Sequence, residues 1–325
     1  MRLVSRLAKS FAYIAAIGPL ACSLPAAAAK IVTFDPPGAK DTFAYSISKA
    51  GITGYYNDNG EIGHGFLRSP NGTITTFDAP GASNTYAYSI NARGVITGSY
   101  TDNGGVHGFA RVRNGTITSF DVPGFNYTQP QAINTRGAIS GYYDDSSGYG
   151  HGFMRAPNGT ITTFDPPGSQ DTSGAGINAH GAIAGDYFDG TAIHGFLRSP
   201  DGTITSFDVP GSTGTYAFSI NASGTIAGEY EDSGGVHGYV RAADGTFTTI
   251  DPSGSGDASV EVINKKGAVA GTDAGHGFVR APGGKVTTFD PPGSQGTAAF
   301  GMVGTKITGY YYDGSDDHGF LRTGH

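Results

Sequence analysis

The phrase His-Gly-Phe or His-Gly-Tyr, with an Arg two residues after the aromatic, recurs seven times in this 325-residue chain. Its histidines are His64, His107, His151, His194, His237, His276 and His318, at steps of 43, 44, 43, 43, 39 and 42 residues. A fixed period of that length marks a solenoid, a propeller or an array. A residue found in every repeat is explained first by what every repeat needs in order to fold. The periodicity therefore says much about architecture, and about function it says mainly where not to look.

One unit shows the pattern. Tyr86 to Asn91 alternates in strand fashion, Ala92-Arg93-Gly94 turns the chain, and Val95 to Tyr100 gives a second strand. Thr101 to Gly105 makes a second turn, His107 to Val112 a third strand, and Asn114-Gly115 a hairpin before a last strand, Thr116 to Phe120. Asn-Gly between alternating segments is a strong hairpin signal, because a type I′ turn needs positive φ at both central residues. No segment has helical periodicity. Four short strands per repeat of about 42 residues match the blade of a β-propeller. An open β-solenoid is the alternative, but it needs capping repeats and none is visible. The expected fold is all-β: a seven-bladed propeller of four-stranded antiparallel blades.

The longest connection, as in Asp165-Pro166-Pro167-Gly168-Ser169-Gln170-Asp171, has the reach to join an outer strand to the next inner one. On that division the chain begins with a lone outer strand, Ile31 to Asp35, and ends on a third strand, His318 to Arg322. The first strand is thus expected to complete the last blade and close the ring, removing its exposed edges.

Residues 1–29 look like a cleavable export leader. Arg2, Arg6 and Lys9 precede a short apolar run, Phe11 to Ala21, and small residues end at Ala29. Residues 30–325 are then one domain, secreted or periplasmic and monomeric. A lipoprotein signal would cleave before Cys22, but Pro19 stands where such signals carry Leu. No other segment is long and apolar enough to span a membrane. The leader holds three of the 20 basic side chains and none of the 27 acidic ones, which leaves 17 against 27, a net of −10. Such a balance argues against nucleic acid and anionic membranes as partners. The only Cys lies in the leader, so the remaining chain has no disulfide.

The repeats resemble those of the HAF-repeat proteins, a group of bacterial extracellular repeat proteins. Ile90-Asn91, Gly94, Ile96, Gly98 and His107-Gly108-Phe109 carry the likeness, as do Ile133-Asn134, Gly137, Ile139, Gly141 and His151-Gly152-Phe153. The last repeat departs, with Met302-Val303-Gly304 in place of Ile-Asn. The resemblance implies secretion and a repeat fold, and no particular activity.

Each unit has a His opening strand three and an Asp closing strand four, both about seven residues from the hairpin centre. Register arithmetic pairs His64 with Asp78, His107 with Asp121, His151 with Asp165, and His194 with Asp208. It also pairs His237 with Asp251, His276 with Asp290 and, through ring closure, His318 with Asp35. Blade-locking hydrogen bonds are the simpler account. A shared metal centre would need ligands about 2 Å from one point, whereas these histidines diverge from one another. The seven repeat arginines, Arg68 to Arg322, are expected to pair with local carbonyls or carboxylates. A second-turn Asp recurs at Asp58, Asp102, Asp145, Asp189, Asp232, Asp273 and Asp313. Turn formation explains it better than weak calcium binding, since no loop has the twelve-residue calcium spacing. No resident metal or other cofactor is expected.

Function is to be sought where repetition breaks. Lys40 and Asp41 stand out in the first inter-blade loop, Phe125, Asn126 and Tyr127 in the third, and Gln170 and Asp171 in the fourth. On inner strands Gln129, Gln131 and Glu261 replace an aromatic, and after the second strand Asp186 and Glu229 replace Tyr. Two readings follow. One is a binding scaffold for an extracellular glycan or protein, with Phe125 and Tyr127 as stacking platforms. The other is a polysaccharide hydrolase or lyase using Asp186, Glu229 and Glu261 as carboxylates around the channel, where a glycosidase needs two about 5 to 10 Å apart.

Overall fold

The computed structural model describes residues 29–324, so the expected leader lies, but for Ala29, outside the described residues. These residues form 28 strands and no helix. The strands make seven consecutive four-stranded antiparallel blades, and the protein is a seven-bladed β-propeller. In the first blade the inner strand is Asp41–Ser48, followed outwards by Gly51–Asn57, Gly63–Arg68 and Ile74–Phe77. Blades four and five are joined into one eight-stranded sheet by a single parallel bridge, Ile193 to Gly214. Expected strand limits fall within a residue or two of those observed.

Ring closure is explicit. Strand Lys30–Phe34 pairs antiparallel with Asp317–Thr323, in the register Lys30 to Thr323 through Phe34 to Gly319. The N-terminal strand is therefore the outer strand of blade seven.

The core lies between blades rather than within them, because a single sheet has two faces and no interior. The repeated phrase divides its work by strand alternation. The Phe of the motif is fully buried at Phe66, Phe109, Phe153, Phe196, Phe278 and Phe320, with Tyr239 in the fifth blade. Gly65 sits beneath the ring of its own blade's outer-strand Phe77, and a Cβ there would meet that ring at 2.5 Å. The upper side of the same ring receives the next blade's arginine: Arg111 lies 4.6 Å from the Phe77 centroid. Arg68 over Phe34, Arg155 over Phe120, Arg198 over Phe164, Arg241 over Phe207 and Arg322 over Phe289 repeat the stack at 4.6 to 5.0 Å. This corrects the expected pairing with carbonyls or carboxylates. The arginine crosses to the neighbouring blade and stacks on an aromatic face, so its buried Nε–H at Arg68, Arg111, Arg155, Arg198, Arg241 and Arg322 has no hydrogen-bond acceptor. A desolvated cation–π contact of this kind is worth about 2 kcal/mol.

A second set of contacts ties the blades near the axis, through the Asn of the recurring Ile-Asn. Asn91 Nδ2 donates to the carbonyl of Asn134 at 3.0 Å, and Asn134 to that of Asn178 at 2.9 Å. Asn178 continues to Asn221 at 3.1 Å, Asn221 to Asn264 at 3.4 Å, and Asn264 to Gly304 at 2.9 Å. Each Oδ1 meanwhile accepts backbone N–H groups of its own turn, as Asn178 does from His180 and Ala182. One buried side chain thus shapes a turn and holds the next blade.

Replacing Phe34 by Ala should remove both the closing-blade knob and the platform for Arg68, costing about 3–5 kcal/mol. Urea unfolding followed by tyrosine fluorescence measures this. Asn178→Ala strands buried turn N–H groups and should cost about 1–3 kcal/mol in the same assay.

Candidate functional site

Two faces follow from the strand order. Inter-blade connections and the turns between second and third strands emerge on one face; turns between first and second, and third and fourth, strands emerge on the other.

The first face carries the histidines. Nδ1 of His64, His107, His151, His194, His237, His276 and His318 lies 2.7 to 3.0 Å from Asp78, Asp121, Asp165, Asp208, Asp251, Asp290 and Asp35 respectively. The other ring nitrogen faces the second-turn Asp, 3.0 Å away at Asp102, 3.2 Å at Asp189 and 3.3 Å at Asp232 and Asp313. Asp58 and Asp145 stand off at 3.7 and 3.6 Å. The imidazole also stacks on a second-strand tyrosine in six blades, with centroids 5.1 to 5.3 Å apart, as for Tyr100 and His107. Where both nitrogens are engaged, as in His107, His194, His237 and His318, the ring is a strut between two loops; His276 has its Asp290 contact without a second-turn partner. Among the described residues no group of three or more His, Cys, Asp or Glu side chains is placed to hold a metal ion. An open hollow lined by Ser83, Asp102, Asn103 and His107 includes one such strut.

The second-turn aspartates use Oδ1 to accept N–H groups of their own turn, as Asp58 does from Gly60 at 2.8 Å and Ile62 at 3.0 Å. Asp273 departs from the expected role. Blade six has the shorter 39-residue step, its turn is Ala274-Gly275 with both φ positive, and Asp273 is a buried strand residue accepting from Ser253 Oγ at 2.8 Å.

Most loop candidates prove to be staples. Asp41 Oδ1 accepts the N–H of Asp317 at 3.3 Å and Asp171 Oδ1 that of Gly150 at 2.7 Å, just as Asn84 takes Gly63 at 2.8 Å. Lys40 is exposed and lies 3.9 Å from Asp41. Gln170 has a counterpart in Gln295, and each side chain covers a glycine turn, Gly190 or Gly314. Phe125 is no free platform: it packs in the blade-three core with its ring 4.8 Å from Tyr143. Asn126 Nδ2 reaches back to the Gly104 carbonyl at 3.0 Å. Tyr127, half-buried, donates to Gln129 Oε1 at 3.1 Å. Gln131 is half-buried on the same inner strand.

Asp186 and Glu229 stand inside the second strands Ile183–Phe188 and Ile226–Asp232, not after them. They are only 5% and 7% exposed, because strand alternation turns them towards the next blade and away from the rim. Both act on the buried hydroxyl of Tyr239. Sequence reasoning passed over Tyr239, although it is the one Tyr among seven motif aromatics. Glu261 is set elsewhere: it accepts from Ser259 Oγ at 2.7 Å and faces Tyr310.

Near the axis, side chains of blades seven, one and two form an aromatic cluster. Tyr45 lies 5.1 Å from Phe300 and 6.0 Å from Tyr88, and Phe43 lies 5.0 Å from Tyr310. Burial pushes the phenols of Tyr45, Tyr55, Tyr88, Tyr239 and Tyr310 well above their usual range, so they stay protonated. On the inner strands, blades seven, one and two thus contribute aromatics, as blade five does with Tyr216 and Phe218, whereas Gln131 and Glu261 stand on those of blades three and six.

No family model matches the chain, and no curated protein matches it in sequence. Among solved structures it is similar to a streptogramin B lyase, with 13% identity and a TM-score of 0.64 over 91% of this chain and 98% of that one. It is similar to an inactive H270A virginiamycin B lyase from Staphylococcus aureus with quinupristin: 14% identity, TM-score 0.64, 92% of this chain and 100% of that one. The β-propeller domain of the Trilobed protease from Pyrococcus furiosus gives 10% identity and a TM-score of 0.59 over 88% and 95%. At these identities the likeness is one of fold.

The struts make stability depend on pH. Burial opposes the imidazolium, but the paired carboxylates outweigh it and raise His107, His151, His194 and His318 above their usual value near 6.5. That contribution is complete below about pH 6.5 and fades as pH rises through the folded values. Asp317 acts in the same direction: burial, then Asp41, raises it to about 7, so its ionisation disfavours the fold. Backbone and hydroxyl donors hold Asp58, Asp102, Asp145, Asp189 and Asp313 low, and their contribution is lost only in acid. Melting temperature should fall from about pH 4 to 7 as Asp317 is forced towards ionisation, and further above pH 6.5 as the raised histidines deprotonate; Asp317→Asn should flatten the decline below pH 7.

Proposed function

We propose that the protein is an exported binding scaffold that holds a glycan at the channel mouth on the face of the inter-blade loops. The observation that carries this reading is the mixed lining of the inner wall. Half-buried aromatic side chains, Phe43, Tyr55, Tyr88 and Phe300, cluster on blades seven, one and two, and the flanking blades three and six carry Gln131 and Glu261 on their inner strands. Sugars offer apolar C–H faces for stacking and hydroxyls for amide and carboxylate acceptors, and pockets of mixed aromatic and sparse polar lining suit such ligands. Export rests on the leader pattern and on the resemblance to HAF-repeat proteins. Most of the distinctive loop residues, such as Asp41, Asp171 and Asn126, hold blades together, so the ligand contacts lie further inwards.

A second reading has its own support. Asp186 and Glu229 are acids buried near one tyrosine, and pairs of enclosed carboxylates are common equipment of acid–base catalysis. On that reading the scaffold also cleaves its glycan.

Screening the mature protein against polysaccharides, with binding and depolymerisation both recorded, tests the two together. The double variant Gln131→Ala/Glu261→Gln should weaken glycan binding at least tenfold with its melting temperature unchanged. An absence of any glycan ligand sinks the proposal. Depolymerisation lost in Glu229→Gln, with binding retained, would establish the enzymatic reading.

A further inference from the structure

The net charge of −10 conceals a sharp division between the two faces. Of the 27 acidic residues, ten lie on inter-blade connections or the first residue of an inner strand, and twelve on or beside the second-to-third-strand turns. That places 22 on the face of the histidine struts. Three more, Asp186, Glu229 and Glu261, are within strands, and only Asp201 and Asp244 remain for the opposite face.

The cations are distributed the other way. Of the 17 basic residues after the leader, seven are the motif arginines and one, Lys40, is on the acidic face. The remaining nine all lie on the opposite face. Lys49, Arg93, Arg136, Lys265, Lys266 and Lys306 occupy the first-to-second-strand turns that ring the channel exit, and every one is exposed. Arg113, Lys285 and Lys30 lie further out on the same face, also exposed. Among the described residues, none of these nine lies within ion-pairing distance of a carboxylate.

The presentation is rigid. The asparagine that links each blade to the next accepts, through Oδ1, the backbone N–H of the basic residue two positions on: Asn91 from Arg93 at 2.9 Å, Asn134 from Arg136 at 3.0 Å, Asn264 from Lys266 at 2.8 Å. Arg93 extends along the rim until its Nη1 is 3.5 Å from the Arg136 carbonyl. The cations belong to blades six, seven, one, two and three, whereas blades four and five contribute His180, Asp201 and Asp244. The result is a crescent over five blades with an acidic gap.

We propose that this crescent is a docking surface for an acidic polysaccharide, a chain of uronate or similarly charged sugars, distinct from the channel-mouth site on the other face. An arc of single cations at turn tips, about 10 Å apart where blades pack face to face, matches a linear polyanion that can follow the curve. A planar anionic bilayer is a poorer match, because it would press its phosphates on Asp201 and Asp244 as well. Peripheral membrane binding also draws on inserted apolar side chains, and among the described residues Val112 is the one large exposed apolar residue on this face. The acidic opposite face repels the same polymer, so binding is oriented.

The test uses the mature protein with polygalacturonate, a neutral dextran, phosphatidylglycerol vesicles and duplex DNA as probes, at several salt concentrations. Polygalacturonate should bind, with affinity falling steeply as salt rises, and dextran should not. Lys49→Ser/Arg93→Ser/Arg136→Ser should lose at least tenfold in affinity and show a shallower salt dependence. Its melting temperature should hold, because the turn bonds come from the backbone. Gln131→Ala/Glu261→Gln should bind polygalacturonate as the parent does, which separates this surface from the channel mouth. Unchanged affinity in the triple variant, or no binding of polygalacturonate by the parent, overturns the proposal. So does equal or tighter binding to the vesicles or the DNA.

Discussion

Between blades, one phenylalanine ring lies on a glycine of its own sheet and under an arginine of the next. The arrangement answers a problem that any four-stranded sheet of this size faces. Such a sheet has no interior, so its apolar residues are buried only if another sheet covers them. Phe77 fills the space that Gly65 leaves, Phe109 packs on its edge, and Arg111 closes over it. Around most of the ring the same three-residue contact recurs, which is why His-Gly-Phe and the following Arg repeat so faithfully. At the junction of blades five and six Ile250 replaces the aromatic, and Arg280 has no ring to cover there.

How much could be read beforehand depended on whether a residue's task was local. The four-strand unit, the blade boundaries and the His318–Asp35 contact followed from hairpin register and chain ends, both properties of short segments. The arginines were misjudged because their partner lies on the next blade, about 40 residues away, where spacing within one hairpin says nothing. The asparagine chain was invisible for the same reason, although Ile-Asn stood in plain view. Phe125, Asp41 and Asp171 looked distinctive as letters, yet each sits where another repeat does the same work with a different residue. Asp186 and Glu229, expected on the rim, are buried within strands, since a one-residue error in strand phase exchanges an exposed face for a buried one.

With the framework residues set aside, chemical individuality is concentrated in two places. One is the inner wall, where blades differ most in what they present. The other is the ring of short turns around the channel exit, where the asparagines fix the backbone and leave the outward side chain free to vary. A repeat protein can thus diverge in charge and ligand preference without disturbing its interfaces, because the two sets of residues occupy different faces of the same strands and turns.

The closing strand also bears on how the chain acquires its shape in time. Within a blade, paired strands are close in sequence, and each blade's partners lie in adjacent repeats. Lys30 and Thr323, by contrast, are 293 residues apart and belong to one sheet. Loop closure over such a separation is entropically slow relative to hairpin formation. Blades can therefore form in order as the chain emerges, while the first strand waits, unpaired, for the last repeat. Closure is the step that turns seven local sheets into a single cooperative body, and until it occurs the nascent protein carries two open edges.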